Sequence, residues 1–449
     1  MRITMIGTGY VGLVSGVCLA ELGWDVTCVD KMADKIAALN TGEIPIYEPG
    51  LEALVDSNKK AGRLHFTTDL KQAVSEADIV FIAVGTPPDK GTGKANLNYV
   101  FGAAEEIANA ISGYTIVVTK STVPVGTNAK VREIIRNANP QAQFDVASNP
   151  EFLREGSAIE DFMKPDRIVI GVQTDAAGHK LSDLYQPLTN KGHLFLRTDI
   201  ETAEMIKYAS NSFLATKIAF INEMADICEQ VGANVELVAK GMGMDSRVGD
   251  KFLKPGPGFG GSCFPKDAMA LSQLADEHGL DSKIVNTVIR YNLDRRASMA
   301  DKITRACNGK VKGKTIAILG LTFKANTDDM RESPSLDIIP ALIKAGATVR
   351  AYDPEGMENA KSMLPESVYF AQSPLDACDG AEAAVIVTEW QAFRDMDLSQ
   401  AHKLMKTPTL VDLRNLFTPS DIKQAGFNYY SIGRKPALLE EESQKAGAA

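Results

Sequence analysis

The stretch GPGFGGSCFPKD, residues 256–267, sets Cys263 among glycines and prolines, with Lys266 and Asp267 close behind. Glycine lets a backbone approach a ligand closely and take positive φ, and proline stiffens the rest. A thiol held on such a turn is presented to something, and positive surroundings that favour its thiolate make it a nucleophile. An ordinary loop that happens to hold a cysteine fits the same letters. The other five cysteines, Cys18, Cys28, Cys228, Cys307 and Cys378, lie in apolar or helical contexts and read as small core residues. With no CxxC pair and five scattered histidines, no metal site is expected.

Two further groups stand out. Lys207 and Asn211 are four apart, on one face of an apolar helical pattern where a lysine and an amide are unexpected. A snorkelling lysine and a capped amide are the plain alternative. Near the N-terminus, Gly7, Gly9 and Gly12 form GxGxxG between an apolar strand and a helix, with Tyr10 and Val11 inside the turn. The next strand ends in Asp30. That combination is built for a dinucleotide. One glycine makes the turn, one admits the pyrophosphate, one lets the helix pack, and the acid takes the ribose hydroxyls. Asp30 repels a 2′-phosphate and so favours NAD over NADP, with Lys31 and Lys35 as the opposing signal.

These groups need elements to hold them. ADIVFIAVGTPP (77–88), YTIVVTKSTVPVGT (114–127) and FDVASNPEFLREG (144–156) read as buried strands that end in turns. Thr86, Thr122 and NPEFLREG fall at their carboxyl ends, where a doubly wound parallel sheet places its ligands. Simple loop chemistry accounts equally well for any one of these turns. From 200 to 231, apolar residues at 206, 209, 213, 220, 224, 227 and 231 predict one long helix stopped by Gly232, read as a connector and dimer core. After a helical stretch (266–308) the α/β pattern restarts with GKTIAILGLTFK and reaches Asp353. GLTFKANTDDMRESP stands where a second fingerprint would be, so no second dinucleotide site is expected. The fold class is therefore α/β, two doubly wound Rossmann-like parallel sheets joined by a long central helix. The expected division is 1–198 for NAD, 199–308 helical and dimerising, 309–436 for the second α/β domain, and a flexible tail over 437–449.

Composition sets the class. Of 449 residues, 45% are apolar and 23% charged, which suits a globular protein in water. No run of about 18 uncharged apolar residues predicts a membrane span, and MRITMIGTGYVG lacks the features of a secretory signal, so a cytoplasmic location is expected. A net charge of −9 argues against nucleic acid or anionic membrane as partner.

GPGFGGSCFPKD, NPEFLREG, KYASNSFLATKIAFINE and GLTFKANTDDMRESP, in this order, resemble the nucleotide-sugar 6-dehydrogenases of the UDP-glucose/GDP-mannose dehydrogenase family, over roughly residues 1 to 435. The resemblance implies oxidation of the C6 alcohol of a sugar nucleotide, UDP-glucose first, to a carboxylate with two NAD per sugar. It assigns Cys263 to a covalent thiohemiacetal and thioester, and Lys207 with Asn211 to the developing oxyanion. Thr122 and Asp267 take a water-mediated role, and Glu151 helps thioester hydrolysis. The substrate would meet Glu151, Phe152, Leu153, Arg154, Glu155, Lys207, Asn211, Phe252, Leu253, Lys254, Pro255, Gly256, Gly260 and Lys324. The cofactor would meet Asp30, Lys35, Thr86, Thr122, Glu155, Lys266 and Arg331 besides the glycine turn. GDP-mannose or a UDP-N-acetylhexosamine as substrate, a single-oxidation β-hydroxyacid dehydrogenase, and a sugar-nucleotide binding protein without catalysis remain as rivals.

Overall fold

The computed structural model describes residues 1–87, 89 and 94–439. Pro88 of the expected strand-stop, the loop residues 90–93 and the tail from 440 onward lie outside the described residues. The chain divides into two units, Met1–Asn211 with Met269–Ser282, and Ser212–Ala268 with Lys283–Ala449.

In the first unit, eight strands form one sheet: β1 (Arg2–Ile6), β2 (Asp25–Val29), β3 (Leu64–Thr67), β4 (Ile79–Ile82), β5 (Thr115–Thr119), β6 (Phe144–Ser148), β7 (Arg167–Gly171) and β8 (Leu194–Thr198). Their order is β3-β2-β1-β4-β5-β6-β7-β8. The first six strands are parallel and doubly wound, as expected. β7 joins β6 antiparallel through Ser148 and Gly171, and β8 runs parallel to β7. These two strands escape a reading by pattern, because β8 (LFLRT) has no buried residue to mark an inward face.

The central strands are apolar because helices cover both of their faces. Ile79 and Phe81 of β4 enter one core, and Val80 and Ile82 enter the core on the opposite face. Each such side chain, fully buried, contributes about 1.5–3 kcal/mol.

The second unit repeats the plan. Its strands are β9 (Thr315–Leu319), β10 (Thr348–Tyr352), β11 (Tyr369–Phe370), β12 (Ala383–Ile386), β13 (Thr409–Asp412) and β14 (Asn428–Ser431). They are all parallel, in the order β11-β10-β9-β12-β13-β14. Past the expected start of the tail, Ala437 still pairs with Tyr429.

The long helix spans Ile200–Val231, as its spacing predicts. The stretch expected to be helical over 266–308 is two helices, Phe264–Glu277 and Lys283–Ala306. Gly279, at φ +70°, lies in the break between them. Among the described residues no helix is long and apolar enough to cross a membrane.

Candidate active site

The dinucleotide turn is built as its glycines demand. Gly7 has φ +99°, and a Cβ there would lie 2.6 Å from the Ala83 carbonyl oxygen. A Cβ on Gly12 would lie 1.9 Å from the Gly7 carbonyl oxygen, so the helix Tyr10–Glu21 approaches the turn only because residue 12 has no side chain. Gly9 differs, since a Cβ there would meet nothing within 4 Å. Packing explains Gly7 and Gly12; the open space at Gly9 suits the pyrophosphate at a helix N-terminus.

Asp30 at the end of β2 accepts from the Thr8 backbone N–H (3.0 Å), the Thr8 hydroxyl (2.7 Å) and the Met32 N–H (3.1 Å), with Lys35 Nζ at 3.3 Å. Burial pushes its pKa up, but these bonds and Lys35 outweigh burial and hold it below the usual carboxylate range. The acid is therefore held in its charged form at the carboxyl end of β2. Its counterpart Asp353, after β10, is spent internally. It accepts from the backbone N–H groups of Leu321, Thr322, Glu355 and Gly356, the Thr322 hydroxyl and Trp390 Nε1.

Tyr10 donates to Glu48, and Glu48 accepts from the N–H groups of Gly156 (2.7 Å) and Ala158 (2.8 Å). Burial first, then the bond to Glu48, raises the Tyr10 phenol above its ordinary range. Glu48, in PIYEPGL, thus ties the fingerprint to the end of NPEFLREG. Its sequence context does not mark it, because the backbone groups it binds lie more than a hundred residues away.

At the carboxyl ends of β4 and β5, Thr86 Oγ1 donates to the Thr122 backbone carbonyl at 3.1 Å, so these two candidate residues are neighbours. The helix after Thr122, Thr127–Ala138, is capped from afar. Glu204 accepts from the N–H groups of Gly126 (2.8 Å) and Asn128 (3.0 Å), offsetting orphan donors at that terminus.

The end of β6 carries the densest chemistry. Lys207 Nζ donates to Glu151 Oε1 at 2.9 Å, and each side chain is 4% exposed. Glu151 Oε2 accepts from the Leu153 N–H at 2.6 Å. Burial alone would raise the Glu151 pKa; the attraction of Lys207, its hydrogen bond, the Leu153 N–H and the charge on Lys120 together hold it low. Phe152 has two cations near its ring, the Arg167 guanidinium 3.6 Å and Lys207 Nζ 5.5 Å from the ring centre. Arg154 is turned to Asp161 and is largely exposed. Asn211, one turn after Lys207, is also buried.

Lys120, two residues before the candidate Thr122, carries no local signal in the sequence. It is buried, donates to Asn149 Oδ1 at 3.1 Å, and its pKa falls to about 8, chiefly through burial. A buried lysine is expensive, and this one stands beside the Lys207–Glu151 pair that its charge acts on.

In the second unit, Cys263 is the one cysteine that is not buried. Burial raises Cys18, Cys28 and Cys378 to about 12, so those thiols are inert. Cys263 directly precedes the helix Phe264–Glu277, and its carbonyl accepts from the Asp267 N–H at 2.8 Å, the bond of an N-cap residue. Lys266 Nζ lies 2.6 Å from Asp267 Oδ1, so its charge is shared with the buried Asp267 rather than aimed at the thiol alone.

The glycines before Cys263 are required by the protein's own packing. A Cβ on Gly260 would lie 2.1 Å from the Glu332 carbonyl oxygen, and one on Gly261 2.7 Å from the Phe323 ring. Gly261 also donates to the Arg331 carbonyl at 2.8 Å. Phe252 takes φ +65°, a strained choice for an aromatic residue, and its ring meets Phe264 edge-on at 5.9 Å. Leu253, Pro255 and Gly256 are buried and Lys254 is exposed. Arg331 is held by Asp329, and Lys324 Nζ lies 5.5 Å from the Phe323 ring centre. Among the described residues no group of His, Cys, Asp and Glu is placed to hold a metal ion.

Residues 1–189 match the NAD binding domain of the UDP-glucose/GDP-mannose dehydrogenase family, 201–294 its central domain and 317–419 its UDP binding domain. The chain belongs to the UDP-glucose/GDP-mannose dehydrogenase family. It is an NAD-dependent oxidoreductase, and the turn at Gly9 with Asp30 fits that cofactor. A UDP-glucose 6-dehydrogenase of Rhizobium meliloti is 55% identical over 97% of this chain and 100% of its own length. Among solved structures, a UDP-glucose dehydrogenase of Pyrobaculum islandicum superposes with a TM-score of 0.87 at 38% identity, covering 95% of this chain and 96% of that one. A UDP-D-ManNAc dehydrogenase of Pyrococcus horikoshii gives 0.84 at 28% identity, covering 97% and 99%. Members of this family thus share the architecture while differing in the sugar they are named for.

Proposed function

We propose that this protein oxidises the C6 alcohol of UDP-glucose to the carboxylate of UDP-glucuronate, through a covalent adduct on Cys263. The observation that carries the reading is Cys263 itself, the only cysteine that is not buried, at the N-cap of a helix. The higher identity to enzymes named for UDP-glucose supports that sugar over GDP-mannose or a UDP-N-acetylhexosamine.

NAD, when bound, accepts the hydride of each oxidation, which makes two per sugar. In the first, the C6 hydroxyl loses its proton to water held by Thr122 and Asp267. The ammonium of Lys207, with Asn211 beside it, stabilises the oxygen that becomes the aldehyde carbonyl. In the second, the Cys263 thiolate adds to the aldehyde carbon, forming a C–S bond and a tetrahedral thiohemiacetal. Loss of the remaining C6 hydride to NAD, and of the hydroxyl proton to the water held by Thr122 and Asp267, leaves a thioester. Water, its proton taken by Glu151, then breaks the C–S bond and releases the carboxylate and the thiol.

Residues 1–198 serve NAD, 199–308 dimerisation and 309–436 the UDP-sugar. Glu151 to Glu155, Lys207 and Asn211 contact the sugar nucleotide, as do Phe252 to Gly256, Gly260 and Lys324. Lys35, Thr86, Glu155, Lys266 and Arg331 join Asp30 at the cofactor. A homodimer formed through the long helix is supported by Phe213, Phe220 and Ile227, exposed and seven residues apart on one face. Phe220→Glu is expected to yield monomers in sedimentation; an unchanged dimer overturns that assignment. The five buried thiols suit the reducing cytoplasm.

The deciding experiment gives the enzyme excess NAD and limiting UDP-glucose and counts NADH per sugar. Two support the four-electron reaction. One overturns the role of Cys263, and none moves the substrate to another sugar nucleotide.

A further inference from the structure

We propose that Asn292 is a positioning residue for the Cys263 thiol, a clamp that sets the cysteine loop from the helix Lys283–Ala306; this rests on the covalent reading above. Asn292 is buried, and its side-chain amide pairs with both backbone groups of one residue. Its Oδ1 accepts from the Phe259 N–H at 2.8 Å and its Nδ2 donates to the Phe259 carbonyl at 2.9 Å. Two bonds to one residue fix its rotation as well as its position, as a neighbouring strand would.

The preceding residue, Gly258, has φ +110°, and a Cβ there would lie 3.0 Å from Asn292 Oδ1. Glycine at 258 and asparagine at 292 are therefore one device. A second clamp stands beside the first. Asn222 Oδ1 accepts from the Gly256 N–H at 2.8 Å, and Arg295 Nε donates to the Gly256 carbonyl at 3.1 Å. Asn222, Asn292 and Arg295 are all at most 4% exposed.

Apolar residues at these positions would leave the buried backbone groups of Gly256 and Phe259 without these partners, at about 1–3 kcal/mol each. What the polar groups add is one specified path for residues 256–259. That path leads to Cys263 through aromatic contact, because Phe264, the residue after the cysteine, meets the Phe259 ring edge-on at 6.0 Å. The clamp touches neither the thiol nor the sugar; it acts on when and where the thiol is presented.

The test compares wild type, Asn292→Ala and Asn292→Asp, the last keeping the size and the acceptor while losing the donor. In a single turnover with UDP-glucose and NAD, the first hydride transfer is expected to change less than about threefold. The second should slow by about tenfold to a hundredfold, with aldehyde trapped by hydroxylamine. Without any cofactor, iodoacetamide should alkylate Cys263 about tenfold more slowly, because a displaced thiol leaves the helix N-terminus that favours its thiolate. General loosening of the fold predicts the reverse, faster alkylation and equal loss of both transfers, and that result overturns the proposal. Unchanged rates in Asn292→Asp and Asn292→Ala overturn it as well. Cys263→Ser separates the two readings. If that variant still forms two NADH, covalent catalysis fails. If it stops at the aldehyde while the Asn292 variants behave as wild type, only the clamp fails.

Discussion

Lys207 Nζ and Glu151 Oε1 form an ion pair of 2.9 Å inside the NAD-binding unit, closed off from water and joined on the carboxylate side by the Leu153 N–H. Breaking such a pair from one side leaves a buried charge and costs about 3–5 kcal/mol. Lys207 is therefore tied to Glu151 by structure as well as by its proposed part in the reaction, and a variant must be chosen to separate the two.

Glu151→Gln keeps an acceptor for Lys207 and the shape of the turn. Both hydride transfers should proceed once, after which the thioester persists. Intact-protein mass should show the sugar nucleotide carried on the enzyme, at the acyl level, after rapid mixing. Normal steady turnover would remove Glu151 from hydrolysis.

The depressed pKa of Glu151 has a definite pH signature. A carboxylate held below its unfolded value adds stability that is present above about pH 4.5 and is lost as pH falls through the folded value. Glu151→Gln should therefore flatten the acid limb of unfolding free energy against pH in urea titrations. An unchanged limb would mean that the pair carries no such linkage.

Lys120 gives the opposite sign at the other end of the scale. Its folded pKa of about 8 is below the unfolded 10.5, so the unfolded chain binds the extra proton between these values and stability rises with pH there. Over that window the gain is about 3 kcal/mol at 1.36 kcal/mol per unit. Lys120→Met should erase that rise, and Asn149 Oδ1 keeps its bond from Tyr185. Denaturant midpoints at pH 7, 8.5 and 10 for the two proteins measure it. The same variant should lose activity, because it removes a charge that keeps Glu151 ionised.

Two glycines of one motif should answer differently to alanine. Gly9→Ala adds a methyl that meets no protein atom, so the melting temperature should hold while affinity for NAD drops by about tenfold or more. Gly12→Ala drives Cβ into the Gly7 carbonyl and should unfold the turn, with a clear fall in melting temperature. Calorimetry with and without NAD distinguishes the two effects.

Asp30→Ala should raise the KM for NAD and lessen discrimination against NADP, since the charge that repels a 2′-phosphate is gone and Lys35 remains. Comparing kcat/KM for the two cofactors tests this; an unchanged ratio would place the ribose elsewhere.

Much of this was legible without coordinates where the information is local. GxGxxG followed by an acid, apolar runs at strand length, and 32 residues at helical spacing are each set by neighbours along the chain. Lys207 and Asn211 share a helix face by periodicity alone. Missing from such a reading were β7 and β8, whose direction depends on a single bridge between Ser148 and Gly171. Glu48, Lys120, Glu204 and Asn292 were missing too, because each finds its partner through folding rather than spacing.

The sequence by itself determined the fold class, the dinucleotide-type glycine turn and the singular position of Cys263, because glycine sterics, hydrophobic period and residue chemistry act over a few residues. Only the tertiary structure decided that the glycines around Cys263 yield to the protein's own carbonyls and rings, that Asp353 is spent on its own domain, and that Lys120 accompanies Glu151. Those outcomes depend on which distant groups share a buried space. Once water is excluded, each polar atom must find a partner, and folding alone chooses which.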